Sequence, residues 1–241
     1  MLTWALLAFI LLFAHTMETV LGFGATLIAL ALGVHLLPLE ELLGILVFLA
    51  LVQSTWLAGR YFRFIAWGTL GMLILPAAAV GTGLGMLSRD LAATGTLQVI
   101  LGVFVIAISL MELSKLRGDG LARPPLGPLV GYPVLLAGGI FHGLFASGGP
   151  LIVYYASRTL GSPAAFRATL AVLWLVLNVA LLLQLVWTGA VTLNTTIATA
   201  FLLPAALAGI VLGSQLRPSE QVFRGLTYGL LLASGILLTI G

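Results

Sequence analysis

Long apolar segments alternate with short polar ones along most of this chain. A run of about 20 apolar residues is long enough to cross a bilayer as one helix. Runs of this kind predict membrane-spanning helices at 39–57, 67–87, 91–113, 164–186, 197–216 and 222–240. Two further apolar stretches, 2–34 and 124–157, are longer. As one helix each would measure about 50 Å, against a hydrocarbon core of about 30 Å.

Both long stretches carry residues that an uninterrupted helix does not favour. These are Gly-Phe-Gly at 22–24, which we call the first break, and Ser-Gly-Gly-Pro at 147–150, the second break. In a helix interior glycine costs about 1 kcal/mol and proline about 3 kcal/mol, but proline is well accommodated in a first turn. One helix is therefore predicted to end near Ala146 and another to begin at Pro150. The free N–H groups and the dipole at such a helix start favour an anion.

The two long stretches open two halves of similar layout. Similar segments occur in the same order in both halves: Leu-Pro-Ala-Ala at 75–78 and 203–206, and the breaks with their following residues at 24–28 and 148–152. We therefore predict two related transmembrane repeats, 1–117 and 118–241. Small residues four apart follow each Leu-Pro-Ala-Ala segment. They indicate close helix packing or, alternatively, a moving surface that lines a cavity.

The basic residues distinguish two topologies. If each broken stretch crosses the membrane, the lysines and arginines divide evenly between the two sides. If each one turns back as a hairpin, all of them except Arg89 lie on one side, as the positive-inside rule favours. We therefore predict an all-α polytopic membrane protein with two inverted repeats, each a broken-helix hairpin plus three transmembrane helices. Both termini then lie outside, and Arg158 and Arg167 on the inner side anchor the topology or attract anions.

Composition supports the membrane assignment and excludes several classes of function. The chain is 61% hydrophobic and 7% charged, with a mean hydropathy of +1.21, which is typical of a polytopic membrane protein. The lack of cysteine excludes disulfides and cysteine-ligated metals. The net charge of +3 comes from basic residues that set orientation. The lipid bilayer is therefore an expected partner, and nucleic acid is not.

An enzymatic function has little support in the sequence. Phe-Ala-Ser-Gly at 145–148 partly matches the Gly-x-Ser-Gly motif of intramembrane serine proteases, but its first position is phenylalanine and no histidine follows it. The predicted spans contain no aspartate and no His-Glu-x-x-His pair. We therefore expect no catalytic centre, no metal site and no cofactor.

The segments GFGATLIALAL, from Gly22, and FASGGPLIVYYAS, from Phe145, resemble the TauE/SafE family of sulfite exporters and toluene-sulfonate uptake permeases. The resemblance covers the whole chain in layout, and its specificity lies in the two breaks. It implies a permease of the inner membrane for a small anion, such as sulfite or an organosulfonate. Phe23 departs from the glycine runs that are common in this family.

The two breaks provide the candidate substrate-binding residues. Their backbone N–H groups, and glycines that permit close approach, are expected to contact the anion; the candidates are Gly24, Ala25, Thr26, Ser147, Gly148, Gly149 and Pro150. The alternative is that these glycines only permit tight packing of the hairpins. Gln53 and Asn178 occupy equivalent positions in two spans. They either line the anion site or brace the hairpin tips, because buried amides need partners.

Glu18 and His142 each precede a break by one helical turn, at equivalent positions of the two halves. Ionisable residues within a membrane are functional candidates, and histidine changes charge near physiological pH. The two residues are therefore candidates for proton coupling. The alternative is an internal pair between Glu18 and His15, which lies one turn away on the same helix face.

The sequence as a whole predicts a permease, and more specifically an exporter, that binds a small anion between the two breaks. Alternating access of the two repeats would move the anion across the membrane. An anion channel and a non-transporting membrane scaffold are the alternatives. The sequence leaves open whether copies of the chain form a homo-oligomer.

Overall fold

A computed structural model describes the chain except for positions 34, 89–98, 100, 101, 104, 105, 108, 111, 112, 115–125, 147, 148 and 241. The described residues form helices and no strand. The prediction of an all-α membrane protein is therefore confirmed. Most of the predicted span at 91–113, and the predicted boundary between the repeats at 117, lie outside the described residues.

Nine longer helices have described bounds and fall where the hydrophobic pattern predicts them, and a short 3-10 helix lies at Phe62–Phe64. They are α1 (Leu2–Leu21), α2 (Ala25–Gly33), α3 (Leu39–Arg60), α4 (Trp67–Leu87), α5 (Pro128–Phe145), α6 (Gly149–Thr159), α7 (Pro163–Trp187), α8 (Leu193–Gln215) and α9 (Glu220–Ile240). Among the described residues, six helices are long and apolar enough to cross a membrane: α1, α3, α4, α5, α7 and α8. A π-helical turn at Leu70–Ile74 precedes Pro76 within α4, where it relieves the clash that proline makes with the preceding turn.

Both breaks begin with the same change in backbone conformation. Helix α1 ends in Gly22, whose φ of 87° is left-handed and whose N–H donates to the Glu18 carbonyl. Helix α5 ends in Ala146, whose φ is 52° and whose N–H donates to the His142 carbonyl. The predicted interruptions are therefore confirmed. The half-helix after the second break begins at Gly149, one residue earlier than predicted.

After each break the chain turns back along the helix it has just left. Gly33 at the end of α2 lies against Leu7 of α1, because a Cβ built on it would be 3.5 Å from the Leu7 Cδ1. Gly131 of α5 lies under the ring of Tyr155 in α6 in the same way. Helices α1 and α2 therefore form one hairpin, and α5 and α6 form a second.

Each hairpin packs against a helix from the other half of the chain. Gly209 and Gly213 of α8 press against the backbone of α1, and Gly81 and Gly85 of α4 press against the backbone of α5. In both pairs the absence of a side chain lets the two backbones approach closely. The recurring small residues therefore serve close helix packing.

The described basic residues lie at helix ends that meet at one end of the molecule, which we call the basic end. The guanidinium of Arg167, near the start of α7, lies 5.0 Å from the ring centre of Tyr61, just after α3. The ring of Phe166 contacts that of Phe223, near the start of α9, at 5.8 Å. Arg60, Arg63, Arg158 and Arg217 occupy the same helix ends or the loops between them.

Candidate functional site

A cavity of about 30 Å³ lies between the tips of the two hairpins. The first break and its flanks contribute Glu18, Phe23, Gly24 and Thr26 to its wall, and the second contributes His142, Ala146 and Gly149. Helix α7 adds Trp174 and Asn178, one helical turn apart. Two breaks that lie far apart in the sequence therefore meet at one place.

Apolar contacts lie on both sides of this cavity. Toward the basic end, Phe23 is 1% exposed and packs edge-on against Phe166. Toward the other end, Ala146 belongs to an apolar cluster with Val47 and Leu181. The tip of the first hairpin thus belongs to an apolar layer on the side of the basic end, and the tip of the second hairpin belongs to an apolar layer on the other side.

The first break already has a carboxyl partner within the chain. The Glu18 carboxylate accepts a hydrogen bond of 2.7 Å from the N–H of Ala25, the first residue of α2. Glu18 is 5% exposed. A carboxylate at a helix start satisfies a free N–H group and complements the helix dipole.

His15 and Glu18 have different partners, so the pair considered as an alternative in the sequence is not formed. The Nδ1 of His15 lies 2.5 Å from the Oε1 of Gln53. The Nε2 of Gln53 donates to the His15 carbonyl and to the Thr19 hydroxyl, each at 2.8 Å. Gln53 therefore ties α3 to α1.

The side-chain amides of Gln53 and Asn178, which occupy equivalent positions in the two halves, have different surroundings. Asn178 lines the cavity, whereas the side chain of Gln53 does not, and Ala50 of α3 reaches the cavity instead. The buried bonds of Gln53 explain this difference, because its amide is fully engaged on the side of α1.

The second break lacks a carboxylate at the position equivalent to Glu18. His142 is 3% exposed there, and its Nε2 has no hydrogen-bond partner among the described residues. Its ring stacks on that of Trp174, with centres 5.6 Å apart. The indole Nε1 of Trp174 donates to the Gly22 carbonyl at 3.0 Å, so Trp174 contacts both breaks.

The structure therefore brings together most of the predicted site. Glu18, Gly24, Thr26, His142, Gly149 and Asn178 line the cavity, and Ala25 bonds to Glu18. Pro150 is buried in the first turn of α6 beside it. Ser147 and Gly148 lie outside the described residues. The sequence analysis missed Trp174. Its position in the middle of a span, rather than at the end of one, was the feature that could have indicated it.

The described residues contain no group of three or more histidine, aspartate and glutamate side chains that could hold a metal ion. Polar side chains and half-helix starts provide the chemistry of the cavity. Such a set can bind an anion and release it without covalent change.

A family comparison agrees with this geometry. The model of the family described as "Sulfite exporter TauE/SafE" matches residues 7–238. The chain belongs to the TauE/SafE family. As a TauE/SafE protein it is a multi-pass membrane transporter and not an enzyme.

Two relatives of this TauE/SafE protein carry transporter names. One, from Cupriavidus necator, is named "Probable sulfite/organosulfonate exporter TauE"; it is 23% identical over 231 residues, which cover 90% of this chain and 86% of the relative. Another, from Comamonas testosteroni, is named "Probable inner membrane transporter protein TsaS"; it is 27% identical over 200 residues, which cover 81% and 82%. No solved structure matches the chain significantly.

Proposed function

We propose that this TauE/SafE protein exports a small sulfur oxyanion, such as sulfite or an organosulfonate, across the inner membrane. The observation that carries the proposal is the meeting of two half-helix starts at one cavity inside a bundle of apolar helices. Helix starts attract anions, and substrate sites of this kind are typical of transporters with broken helices. The names of the two relatives supply the substrate class.

The proposed site uses both breaks. Thr26, Gly149 and Asn178 line the cavity and are placed to contact the anion, together with Gly24. Ala25 and Pro150 shape the starts of α2 and α6, and Ser147 and Gly148 belong to the proposed site by their sequence. Gln53 serves it indirectly, because its bonds to His15 and Thr19 hold α1 against α3.

The topology proposed from the sequence is two inverted repeats with both termini outside. Two features support it. Each broken stretch forms a hairpin, and Arg60, Arg63, Arg158, Arg167 and Arg217 lie at the same end of the molecule. By the positive-inside rule the basic end faces the cytoplasm.

The size of the cavity and its two apolar layers support the proposal of alternating access. One water molecule needs roughly 10–15 Å³ of such space, so the cavity holds about two waters. A sulfonate is larger, and therefore the hairpin tips have to move apart before it can bind. Opening one apolar layer at a time would expose the cavity to one side of the membrane at a time.

Energetics favour export without coupling. With a negative cell interior, each exported negative charge gains about 2.3 kcal/mol per 100 mV, equivalent to roughly a fifty-fold concentration ratio. Uptake would need another driving force. Glu18 and His142 are the ionisable side chains in the cavity wall, and we place any proton coupling on them.

The proposal is tested first by binding. Sulfite, sulfate, thiosulfate, sulfoacetate, taurine, acetate and chloride are added to the purified protein, and its melting temperature is measured. A ligand that binds only the folded state raises the melting temperature by mass action. We expect selective stabilisation by sulfite or a sulfonate; indifference to every anion of a well-folded protein would contradict the proposal and favour a scaffold.

Flux into vesicles separates a carrier from a channel. Sulfite flux through a carrier saturates and is competed by a second substrate, whereas flux through an open channel rises with concentration.

In the same vesicles, Glu18→Gln and His142→Gln test proton coupling. If both variants keep the wild-type flux and its pH dependence, neither residue couples transport to protons.

A further inference from the structure

We propose that the transported anion binds at the second break, on His142 and the first N–H groups of α6, while the Glu18 carboxylate occupies the equivalent place at the first break. This inference rests on the proposed function and names which of the two breaks holds the substrate. It also assigns a different role to each of the two ionisable residues in the cavity wall.

Glu18 and His142 occupy the same place in their hairpins. Each offers its carbonyl to the N–H of the left-handed residue four positions later, Gly22 after Glu18 and Ala146 after His142. Each lines the same cavity from the last turn of the helix that precedes its break. The two hairpins therefore place a side chain at the same point of the cavity wall, and that side chain is a carboxyl group in the first hairpin and an imidazole in the second.

At the first break the place of an anion is already taken by a side chain of the protein. The Glu18 carboxylate lies 2.7 Å from the N–H of Ala25 at the start of α2. Both residues are buried. A free anion could take this place only by displacing Glu18, with which it shares the sign of its charge.

At the second break the corresponding carboxyl group is missing and a buried ring nitrogen lacks a partner. The second hairpin supplies no carboxyl group of its own to the start of α6, because histidine stands at position 142 where the first hairpin has Glu18. His142 lines the cavity, and its Nε2 is buried and has no partner among the described residues. Buried polar atoms are almost always hydrogen-bonded, so an unpartnered one at a cavity indicates a ligand.

The second break also has room for a ligand at the helix start. Among the residues that the structure describes, a Cβ built on Gly149 would meet only the Phe23 ring, at 3.9 Å. Pro150 has no N–H group to offer, which leaves the N–H groups of Gly149 and Leu151 as donors in the first turn. One oxygen of a sulfite or sulfonate group can accept from these groups and another from the Nε2–H of His142.

The fixed carboxylate at the first break has a further consequence. A second anion in the same small cavity would be repelled both by Glu18 and by the bound substrate. The cavity therefore accommodates one anion at a time. The oxygen atoms of that anion accept hydrogen bonds as the Glu18 carboxylate does at the first break.

The test compares sulfite affinity in five purified proteins: wild type, His142→Phe, His142→Gln, Gly149→Ala and Glu18→Gln. The phenylalanine ring can keep the stacking on Trp174 but has no N–H, and we expect it to weaken sulfite binding at least about tenfold, because hydrogen bonds to charged groups contribute on this order. Gly149→Ala, which fills the space without a clash, should weaken binding as well. His142→Gln, which restores an N–H donor, should recover part of the affinity.

Glu18→Gln is the discriminating variant, because it keeps an acceptor for the Ala25 N–H and removes only the charge. We expect its sulfite affinity to exceed that of the wild type, because the variant removes a charge that repels the substrate. A loss as large as that of His142→Phe, or wild-type affinity in both His142→Phe and Gly149→Ala, would overturn this inference while leaving an anion transporter intact. Failure of the wild type itself to bind any anion would instead overturn the proposed function.

Discussion

Gly22 and Ala146 occupy equivalent positions and adopt the same left-handed backbone, with φ of 87° and 52°. Among the described residues, Ala146 is the only one other than glycine with a positive φ. A residue with a Cβ in this conformation costs about 1–2 kcal/mol. The second hairpin thus carries strain next to its proposed substrate contacts, and the first does not.

At Gly22 both the backbone and the surroundings exclude a side chain. A Cβ there would lie 2.9 Å from the Cα of Arg167, and φ is left-handed. We therefore expect Gly22→Ala to destabilise the protein by about 1–3 kcal/mol, seen as a lower melting temperature in detergent. Ala146→Gly is the matched control, and its melting temperature should stay the same or rise. Equal losses in the two variants would contradict this account of the breaks.

The sequence indicated some of these single residues and not others. Two breaks and the residues around them are visible as glycine and proline in apolar stretches. The hydrogen-bond partner of a buried side chain is not visible there, because it depends on how neighbouring helices are rotated. For this reason the alternative pair of Glu18 with His15 could be neither supported nor excluded before the partners Ala25 and Gln53 were known.

At the level of helices, the hairpins are held by close contacts rather than by polar bonds. Gly81 and Gly85 let α4 approach the backbone of α5, and Gly209 and Gly213 let α8 approach α1. Helix pairs in a membrane associate largely through such packing. The position of each hairpin tip therefore depends on a helix from the other half of the chain.

This packing predicts different effects for two neighbouring glycines of α4. A Cβ on Gly81 would lie 2.9 Å from the amide N of Ile140 and would also meet the Leu136 carbonyl. No atom of the described part of the chain lies within 4 Å of a Cβ built on Gly83. Gly81→Ala should therefore destabilise by about 1–3 kcal/mol, as overpacking does, while Gly83→Ala should not lower the melting temperature. A stable Gly81→Ala protein with unchanged anion binding would show that the helices can separate without moving the tip.

In the molecule as a whole, the basic residues and the hairpins together indicate how the chain is oriented in the membrane. The ends of α3 and α6 and the starts of α7 and α9 meet at the basic end. The starts of α3 and α8 lie at the opposite end. The positive-inside rule favours a cytoplasmic position for the basic end, and the negative cell interior favours export of an anion in either orientation.

Orientation is measured with single cysteines, because the chain has none of its own. Gly161, at the basic end, and Asn194, at the start of α8, are both exposed. A membrane-impermeant maleimide should label Asn194→Cys in intact cells and leave Gly161→Cys unlabelled. Inverted vesicles should give the opposite pattern. Labelling of Gly161→Cys in intact cells would place the basic end outside.

The sequence by itself determined the membrane class, the described spans and the location of both breaks. It could do so because hydrophobic length and the cost of glycine and proline in a helix act locally along the chain. The glycines, proline and apolar residues at 22–32 and 145–157 were also sufficient to indicate the TauE/SafE family, which the family comparison confirms.

Only the tertiary structure decided how the two breaks differ from each other. Equivalent positions in the sequence suggested equal roles for Gln53 and Asn178, yet one amide bonds to α1 and the other lines the cavity. The Glu18 carboxylate has a partner at its half-helix start, while the Nε2 of His142 has none among the described residues. The physical reason is that the depth and rotation of each helix select which side chains meet, and hydropathy does not encode either quantity.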